Sequence, residues 1–338
     1  MAKLFTVGKI FKLKKRIILV GNSVVNIRTK DLLDENFQIT ELLPKDLKNY
    51  IKENSDIFAI WIHFDTFLSS DYIDFLRKIP YLVTTTTGLT HINKEIIEMY
   101  GNKLIRLRSD SKALSKVSST AELAWLFVML SNNHIYQAFQ DVKAGKWNRQ
   151  TNLRDRQLSS LMLGIVGYGR LGKKVANFAR SFEMKVLIND IDPRKTEQAS
   201  KDGLFFVSSV EEMIQKCDVI SLHANVRDES KKIITEENLS LITKPLALIN
   251  TSRANLVDEY AILKEINNRP FLNYYTDVLN FEENGLDLST SELWVKSLVS
   301  DRIHITPHIG GANKEAIEIC EKELFNTVKN LAYGTIVK

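Results

Sequence analysis

The 338-residue sequence predicts an α/β protein with two doubly wound parallel sheets, the second inserted within the first. Three observations predict this. Short apolar strands alternate with amphipathic helices over the first hundred residues, the alternation resumes at Leu161, and the last amphipathic segment has no strand after it. Taken in order, the first strands are "RIILVG" (16–21), "FQITEL" (37–42), "IFAIWIH" (57–63), "YLVTTTT" (81–87) and "KLIRLR" (103–108). Helical patterns such as "SSDYIDFLRKI" (69–79) and "NKEIIEMYG" (93–101) lie between them. The run 119–147 has an apolar stripe and no strand, and its length suggests a connector between domains and a subunit interface. The second series is "LMLGIVGYG", "KVLIND", "DVISLHA", "LALIN", "YYTDV" and "IHITPH". The amphipathic tail 313–334 is expected to return to the first sheet, giving a discontinuous domain of 1–116 with 310–338 around a domain of 117–309.

Composition excludes several classes. With 44% hydrophobic and 26% charged residues the chain is an ordinary globular protein, and a net charge of +5 is too mild to imply nucleic acid. The basic cluster "KIFKLKKR" (9–16) reads as a solvated lead-in. No apolar stretch is read as approaching the roughly 18 residues that span a bilayer, and "IILV" (17–20) is too short for a signal-peptide core, so no membrane is expected. Two distant cysteines, Cys217 and Cys320, without a CxxC pattern support neither a disulfide framework nor a metal site, and the expected location is cytoplasmic.

The segment from Leu161 to Asp190 carries Gly167-x-Gly169-x-x-Gly172 between a strand and a helix, with a second strand following. Gly167 permits a tight turn, Gly169 lets the backbone approach a pyrophosphate, and Gly172 allows close helix–strand packing. Arg170 and Leu171 open the helix, whose N-terminal N–H groups would face the anion. Asp190, 23 residues after Gly167, can accept hydrogen bonds from the adenosine ribose and would repel a 2′-phosphate. The context is that of a Rossmann domain and favours NAD over NADP, although Arg194 stands close enough to meet a phosphate.

Ligands of open parallel sheets bind outside the carboxyl ends of the strands. Arg253 in "LALINTSRANLVDE", Asp277 in "YYTDVLNFEEN" and His308 in "IHITPHIGG" all fall at such ends and can converge on one site. Alone, Arg253 reads as a solvated loop residue, His308 as a turn histidine and Glu282 as part of an acidic loop shared with Glu283. The joint arrangement carries the catalytic reading. His223 and His304 read as structural, His223 near the cofactor, and Thr120 and Glu122 as capping residues of a helix start.

Together "GIVGYGRLG", "CDVISLHANVRDES", "LALINTSRANLVDE", "TDVLNFEE" and "ITPHIGG" make the chain resemble the D-isomer-specific 2-hydroxyacid dehydrogenases over nearly its whole length. The resemblance implies a Rossmann NAD-binding domain inserted in a flavodoxin-like substrate domain, and a homodimer formed through the nucleotide domain. It implies that a small 2-oxo acid and a 2-hydroxy acid are interconverted by hydride transfer with NAD(H). The family's triad falls on Arg253, Glu282 and His308. Arg253 would hold the substrate carboxylate through planar donors. His308 would give and take the proton, its ordinary pKa of about 6.5 suiting both directions. Glu282 would orient the ring and favour its charged form. Asp277 would face the nicotinamide carboxamide, Asn225 and Thr251 would line the cofactor, and Thr87 and Gly88 in "TTTTGLTHIN" would grip the substrate carboxylate.

The sequence departs from the family pattern in three places. Ala254 follows Arg253 where Gly is usual, "HAN" (223–225) lacks a Pro, and the loop after Glu282 lacks the usual Pro, which leaves Glu283 open as the triad acid. His63 and Asp65 stand where members acting on phosphoglycerate tend to carry arginine, which argues against that substrate. Glyoxylate, hydroxypyruvate, pyruvate or a larger pathway acid remain as candidates. Glu282 argues against the formate-oxidising branch, which tends to use Gln. An NAD(H)-sensing binding protein, like the corepressor relatives of this fold, is the alternative from another class.

Overall fold

The computed structural model describes residues 14–21, 25–63, 66–108, 110–133, 135–150, 156–224, 231–283 and 287–334. The chain divides into two compact units, Met1–Val117 with Lys314–Lys338, and Ser118–Asn313. The return passage falls a few residues beyond the expected 309/310, because the Ile309 and Gly310 amides are bonded to Asp277 in the second unit.

The first unit is a five-stranded parallel sheet of β1 (Arg16–Val20), β2 (Gln38–Leu42), β3 (Ile57–Ile62), β4 (Tyr81–Thr84) and β5 (Leu104–Arg106), in the order β2-β1-β3-β4-β5. That is the flavodoxin-like order. Its central strands bury both faces, so alternate residues feed two cores. Ile17, Leu19 and Trp61 pack under helix Lys314–Tyr333, which contributes Ala316, Leu324, Phe325 and Val328. Ile18, Val20 and Ile60 face Leu47, Ile51 and Ile96 instead. β4 stops at Thr84, short of the expected Thr87, because β3 and β5 both end at that level and the Thr86 hydroxyl turns to local partners, Thr84 Oγ1 and the Gly88 carbonyl. The expected helix over 69–79 is only a single turn of 3₁₀ followed by Ile73–Leu76. Pro80 disfavours helical backbone at the residue before it, which limits any extension.

The second unit is a seven-stranded parallel sheet of β6 (Met162–Val166), β7 (Lys185–Asn189), β8 (Phe205–Phe206), β9 (Val219–Leu222), β10 (Leu246–Asn250), β11 (Leu272–Thr276) and β12 (Ile303–Ile305). Its order, β12-β11-β10-β9-β6-β7-β8, reverses direction between β6 and β9, the switch point of a Rossmann sheet. β6 is buried so tightly that a Cβ at Gly164 would lie 2.5 Å from Met213 Cγ and 2.9 Å from Cys217 Sγ.

Two expectations are corrected here. The run 119–147 is not a connector: it lies within the second unit and breaks into helices Ser119–Ser131 and Ile135–Lys143. Between them Asn132 and Asn133 turn their side-chain amides onto the Arg156 and Met129 carbonyls, competing with the helix for backbone partners. The stretch Lys112–Ser131 is also long and apolar enough by length and composition to cross a membrane, contrary to the reading above. It is two helices, Lys112–Lys116 and Ser119–Ser131, and the second buries Ala121, Ala124, Phe127 and Val128 against Val175 and Ala176 as a core helix does.

Candidate active site

The glycine turn follows β6. Gly167 has φ +96°, and a Cβ there would sit 2.6 Å from the Ala224 nitrogen. A Cβ on Gly172 would lie 2.1 Å from the Gly167 carbonyl oxygen, so this helix can approach the strand only through glycine. Gly169 is different, for nothing lies within 4 Å of the Cβ it lacks. Gly169 is the N-cap of helix Arg170–Ser181, and among the described residues no side chain caps that helix, so its start, at Arg170 and Leu171, has the polarity that suits an anion.

Asp190 ends the next strand. Its carboxylate accepts from the Tyr168 amide at 2.7 Å and the Asp192 amide at 2.9 Å, fixing the glycine turn to the end of β7. A carboxylate has about four lone-pair positions, so acceptors remain for ribose hydroxyls. Arg194 pairs with Asp192 through Nε and Nη2 at 2.9 and 2.8 Å. His223 donates or accepts at Ser221 Oγ over 2.9 Å, and burial pushes its pKa down to about 4, so its ring is neutral near pH 7. Its Nδ1 and the Thr251 hydroxyl are buried without a hydrogen-bond partner among the described residues, at the ends of β9 and β10. An open glycine, an uncapped helix start, an acidic strand end and two unsatisfied polar atoms together fit a dinucleotide. Asn225 lies outside the described residues.

Arg253 leaves β10 through a turn built by Asn250, which is fully buried. Arg253 is extended, with φ −141°, and its Nη1 donates to the Ser252 carbonyl at 2.7 Å. Ala254 begins a 3₁₀ turn over Ala254–Leu256, where glycine's freedom is not required, so this departure from the family pattern is structurally neutral.

His308 Nδ1 is 2.6 Å from Glu282 Oε2, while Glu282 Oε1 accepts from the Leu279 amide at 2.9 Å. Both carboxylate oxygens are thereby fixed, and the histidine ring is held through its Nδ1. Glu283 follows in the same short helix, and its side chain lies outside the described residues. The hydrogen bond to Glu282 raises the His308 pKa above its ordinary value. Burial opposes this, the charges of Glu282 and Asp277 add to it, and Arg253 opposes it. His308 has φ +52°, a left-handed conformation costing a side-chain-bearing residue about 1–2 kcal/mol.

Asp277, only 1% exposed, secures that conformation. It accepts from Thr306 Oγ1 at 2.6 Å, the Ile309 amide at 2.8 Å and the Gly310 amide at 2.7 Å. Thr120 Oγ1 donates to the Gly310 carbonyl at 3.1 Å, so Thr120 ties down the His308 loop rather than capping its helix. Glu122 receives the Ser118 hydroxyl at 2.5 Å, as a helix-start residue should. His304 stacks on Tyr275 at 4.3 Å between ring centres and is structural. Sequence reasoning missed Asn250 and Thr306. A lone polar residue ending the apolar "LALIN" was the available signal for the first.

Thr87 and Gly88 belong to the first unit, in the loop after β4. There the Thr86 hydroxyl donates to the Gly88 carbonyl at 2.6 Å and Arg106 to the Thr87 carbonyl at 3.1 Å. Thr84 Oγ1 and His91 Nε2 are 3.2 Å apart beneath it. Asp65 lies outside the described residues.

Comparison with known proteins gives this geometry a context. A hydroxypyruvate reductase of Thermotoga maritima is 27% identical over 294 residues, covering 85% of this chain and 90% of the relative. A D-3-phosphoglycerate dehydrogenase of Bacillus subtilis is 27% identical over 88% of the chain, which spans about half, 54%, of that longer protein. The solved D-lactate dehydrogenase of Aquifex aeolicus, complexed with NAD and lactic acid, shares the fold at a TM-score of 0.78 and 23% identity, over 94% of this chain and 96% of that one. The family model described as D-isomer specific 2-hydroxyacid dehydrogenase, NAD binding domain, matches residues 125–310. That match takes in more than half of the chain, from the core helix through the glycine turn to the His308 loop, and the chain belongs to the D-isomer-specific 2-hydroxyacid dehydrogenase family.

Proposed function

We propose that the protein is an NAD(H)-dependent oxidoreductase that interconverts a small 2-oxo acid and its D-2-hydroxy acid, with His308 as the acid and base. The observation that carries the proposal is the 2.6 Å Glu282–His308 bond, which fixes the ring by Nδ1 and presents Nε2. Bound NAD(H) supplies the hydride acceptor or donor. The residues of the chain do the rest. The glycine turn with Arg170, Leu171 and Asp190 receives the dinucleotide, and Thr251, Asn225 and Asp277 are proposed to line it. Arg253 presents a planar, permanently charged fork to the substrate carboxylate. Thr87 and Gly88 are proposed as further substrate-binding residues. His308 protonates the 2-oxo oxygen during reduction, and Glu282 stabilises the imidazolium that stands ready to do so.

The Asp190 carboxylate and the Asp192–Arg194 pair favour NAD over NADP, which the ratio of NADH to NADPH dissociation constants tests. A homodimer through the second unit is proposed on helix Ile135–Lys143, where Tyr136, Phe139 and Val142 are exposed. Light scattering in solution tests it, and a monomer at micromolar concentration would end it. The chain is proposed to work in the cytoplasm, on its cysteine usage alone; fractionation of the cell of origin checks this.

The activity is tested by NADH consumption with glyoxylate, hydroxypyruvate, pyruvate, 2-oxoisocaproate, 2-oxoglutarate and phosphohydroxypyruvate. At least one should turn over and be abolished by His308→Ala. NADH binding without turnover of any of them would favour the sensor reading instead.

A further inference from the structure

The Arg253 loop contains a device that the triad does not describe. Asn250 ends β10 with its side chain fully buried. Its Oδ1 accepts from the Ser252 amide at 3.1 Å, and its Nδ2 donates to the Arg253 carbonyl at 2.8 Å. One planar amide therefore holds the N–H that precedes the Arg253 peptide link and the C=O that follows it. The Ser252 carbonyl, on which the guanidinium rests at 2.7 Å, lies between these two anchors. The main-chain carbonyl of Asn250 adds a third tie. It accepts from the Asp277 amide at 3.0 Å, so the base of the turn is tied to the end of β11.

We propose that Asn250 is a positioning residue for the reaction, its side-chain amide setting the backbone on either side of Arg253 and so aiming the guanidinium at the substrate carboxylate. The chemistry requires an amide at this place. Donor and acceptor must come from one rigid group, because the turn offers one N–H and one C=O. A carboxylate would oppose the Arg253 carbonyl, and an aliphatic residue would leave both backbone groups unheld. Arginine has long, soft torsions, so fixing its backbone is the economical way to limit where its head can go. Misplacement of a binding group by about 1 Å can cost on the order of a hundredfold in rate.

The inference rests on the reading that Arg253 binds the substrate carboxylate, and a double-mutant cycle separates the two. Asn250→Ala, Arg253→Ala and the double variant are assayed with the best 2-oxo acid of the panel, alongside NADH affinity and thermal unfolding. Asn250→Ala is expected to lower kcat/KM by about 30- to 100-fold, mostly through KM, with NADH affinity within about twofold of the parent. In the Arg253→Ala background the same change should cost less than about threefold, because the group it aims is already gone. Full multiplicative losses in the double variant, or a parallel collapse of NADH affinity, would overturn the inference and leave Asn250 as a structural residue. A wild-type protein that reduces no 2-oxo acid, and whose NADH complex fails to bind the unreactive isostere oxamate, would instead remove the functional reading and the inference with it. Should Asn250→Ala not fold, Asn250→Ser keeps a short acceptor for Ser252 but cannot reach the Arg253 carbonyl, and the same cycle is run with it.

Discussion

Two strand ends of the second unit, on either side of β11, each hold one side chain of the proposed site, and they do it with different chemistry. At β10 an amide, Asn250, bridges one N–H and one C=O and holds Arg253 in extended backbone. Beyond β12 the loop's two amides and a hydroxyl are gathered by a carboxylate from the end of β11, Asp277, which holds His308 in left-handed backbone. An open turn shows both polarities of the backbone, so a group with both polarities suits it. A sharp turn points successive N–H groups inward, and an acceptor-only group collects them. The histidine loop is the more strained of the two and gathers three of its donors on one buried residue, with Thr120 holding the Gly310 carbonyl. The arginine loop stores no comparable strain and should fail more gently.

The comparison is broken most directly by Asp277→Ala, which removes the shared acceptor of all three donors. We expect kcat to fall by about a thousandfold, the scale of losing a positioned general acid, together with a lower melting temperature. Rapid-mixing kinetics alongside NADH titration checks this, because a loss confined to NADH affinity would make Asp277 a cofactor contact only. Glu282→Gln has a smaller effect with a definite sign. In the proposed mechanism reduction needs protonated His308, and Glu282 raises its pKa, so the wild-type rate is expected to hold to higher pH than an ordinary histidine would allow. With Gln the alkaline fall of kcat/KM should move to lower pH, and the rate near pH 7 should drop about tenfold or more. An unmoved limb would assign the titration to another group. The smallest change is Thr306→Val, which deletes one of the bonds to Asp277 and should cost about 1 kcal/mol of stability and a few-fold in kcat. Thr306→Ser should restore both, and failure to do so would mean that the methyl group matters more than the hydroxyl.

Much of the second unit was legible because its signals are local. Gly167, Gly169, Gly172 and Asp190 lie within one strand–helix–strand segment, and steric and polar needs at each are set by near neighbours. The Glu282–His308 pairing crosses a longer interval and was legible only through the family pattern. The role of Asp277 toward residues 306–310 was missed because its partners lie about thirty residues on, and nothing in spacing foretells which loop a buried carboxylate will collect. The two-residue β8 carries too little periodicity to be read, and Phe205 is largely exposed. The break at Asn132 and Asn133 was hidden by the apolar stripe on both sides, since side-chain competition for backbone outweighs a helical period only locally.

The packing of Cys217 over Gly164 has a practical reach beyond the site. The chain has two cysteines, Cys217 in the second unit and Cys320 in the first, both buried and neither in a disulfide. Burial pushes the Cys217 thiol up to about 12, so little of the reactive thiolate exists in the native protein at neutral pH. A thiol reagent should therefore modify Cys217 only when its surroundings open. Each unit thus carries one internal clock, and the labelling rate at each cysteine, resolved by mass spectrometry, would time the opening of the nucleotide unit and of its companion separately within one unmodified chain.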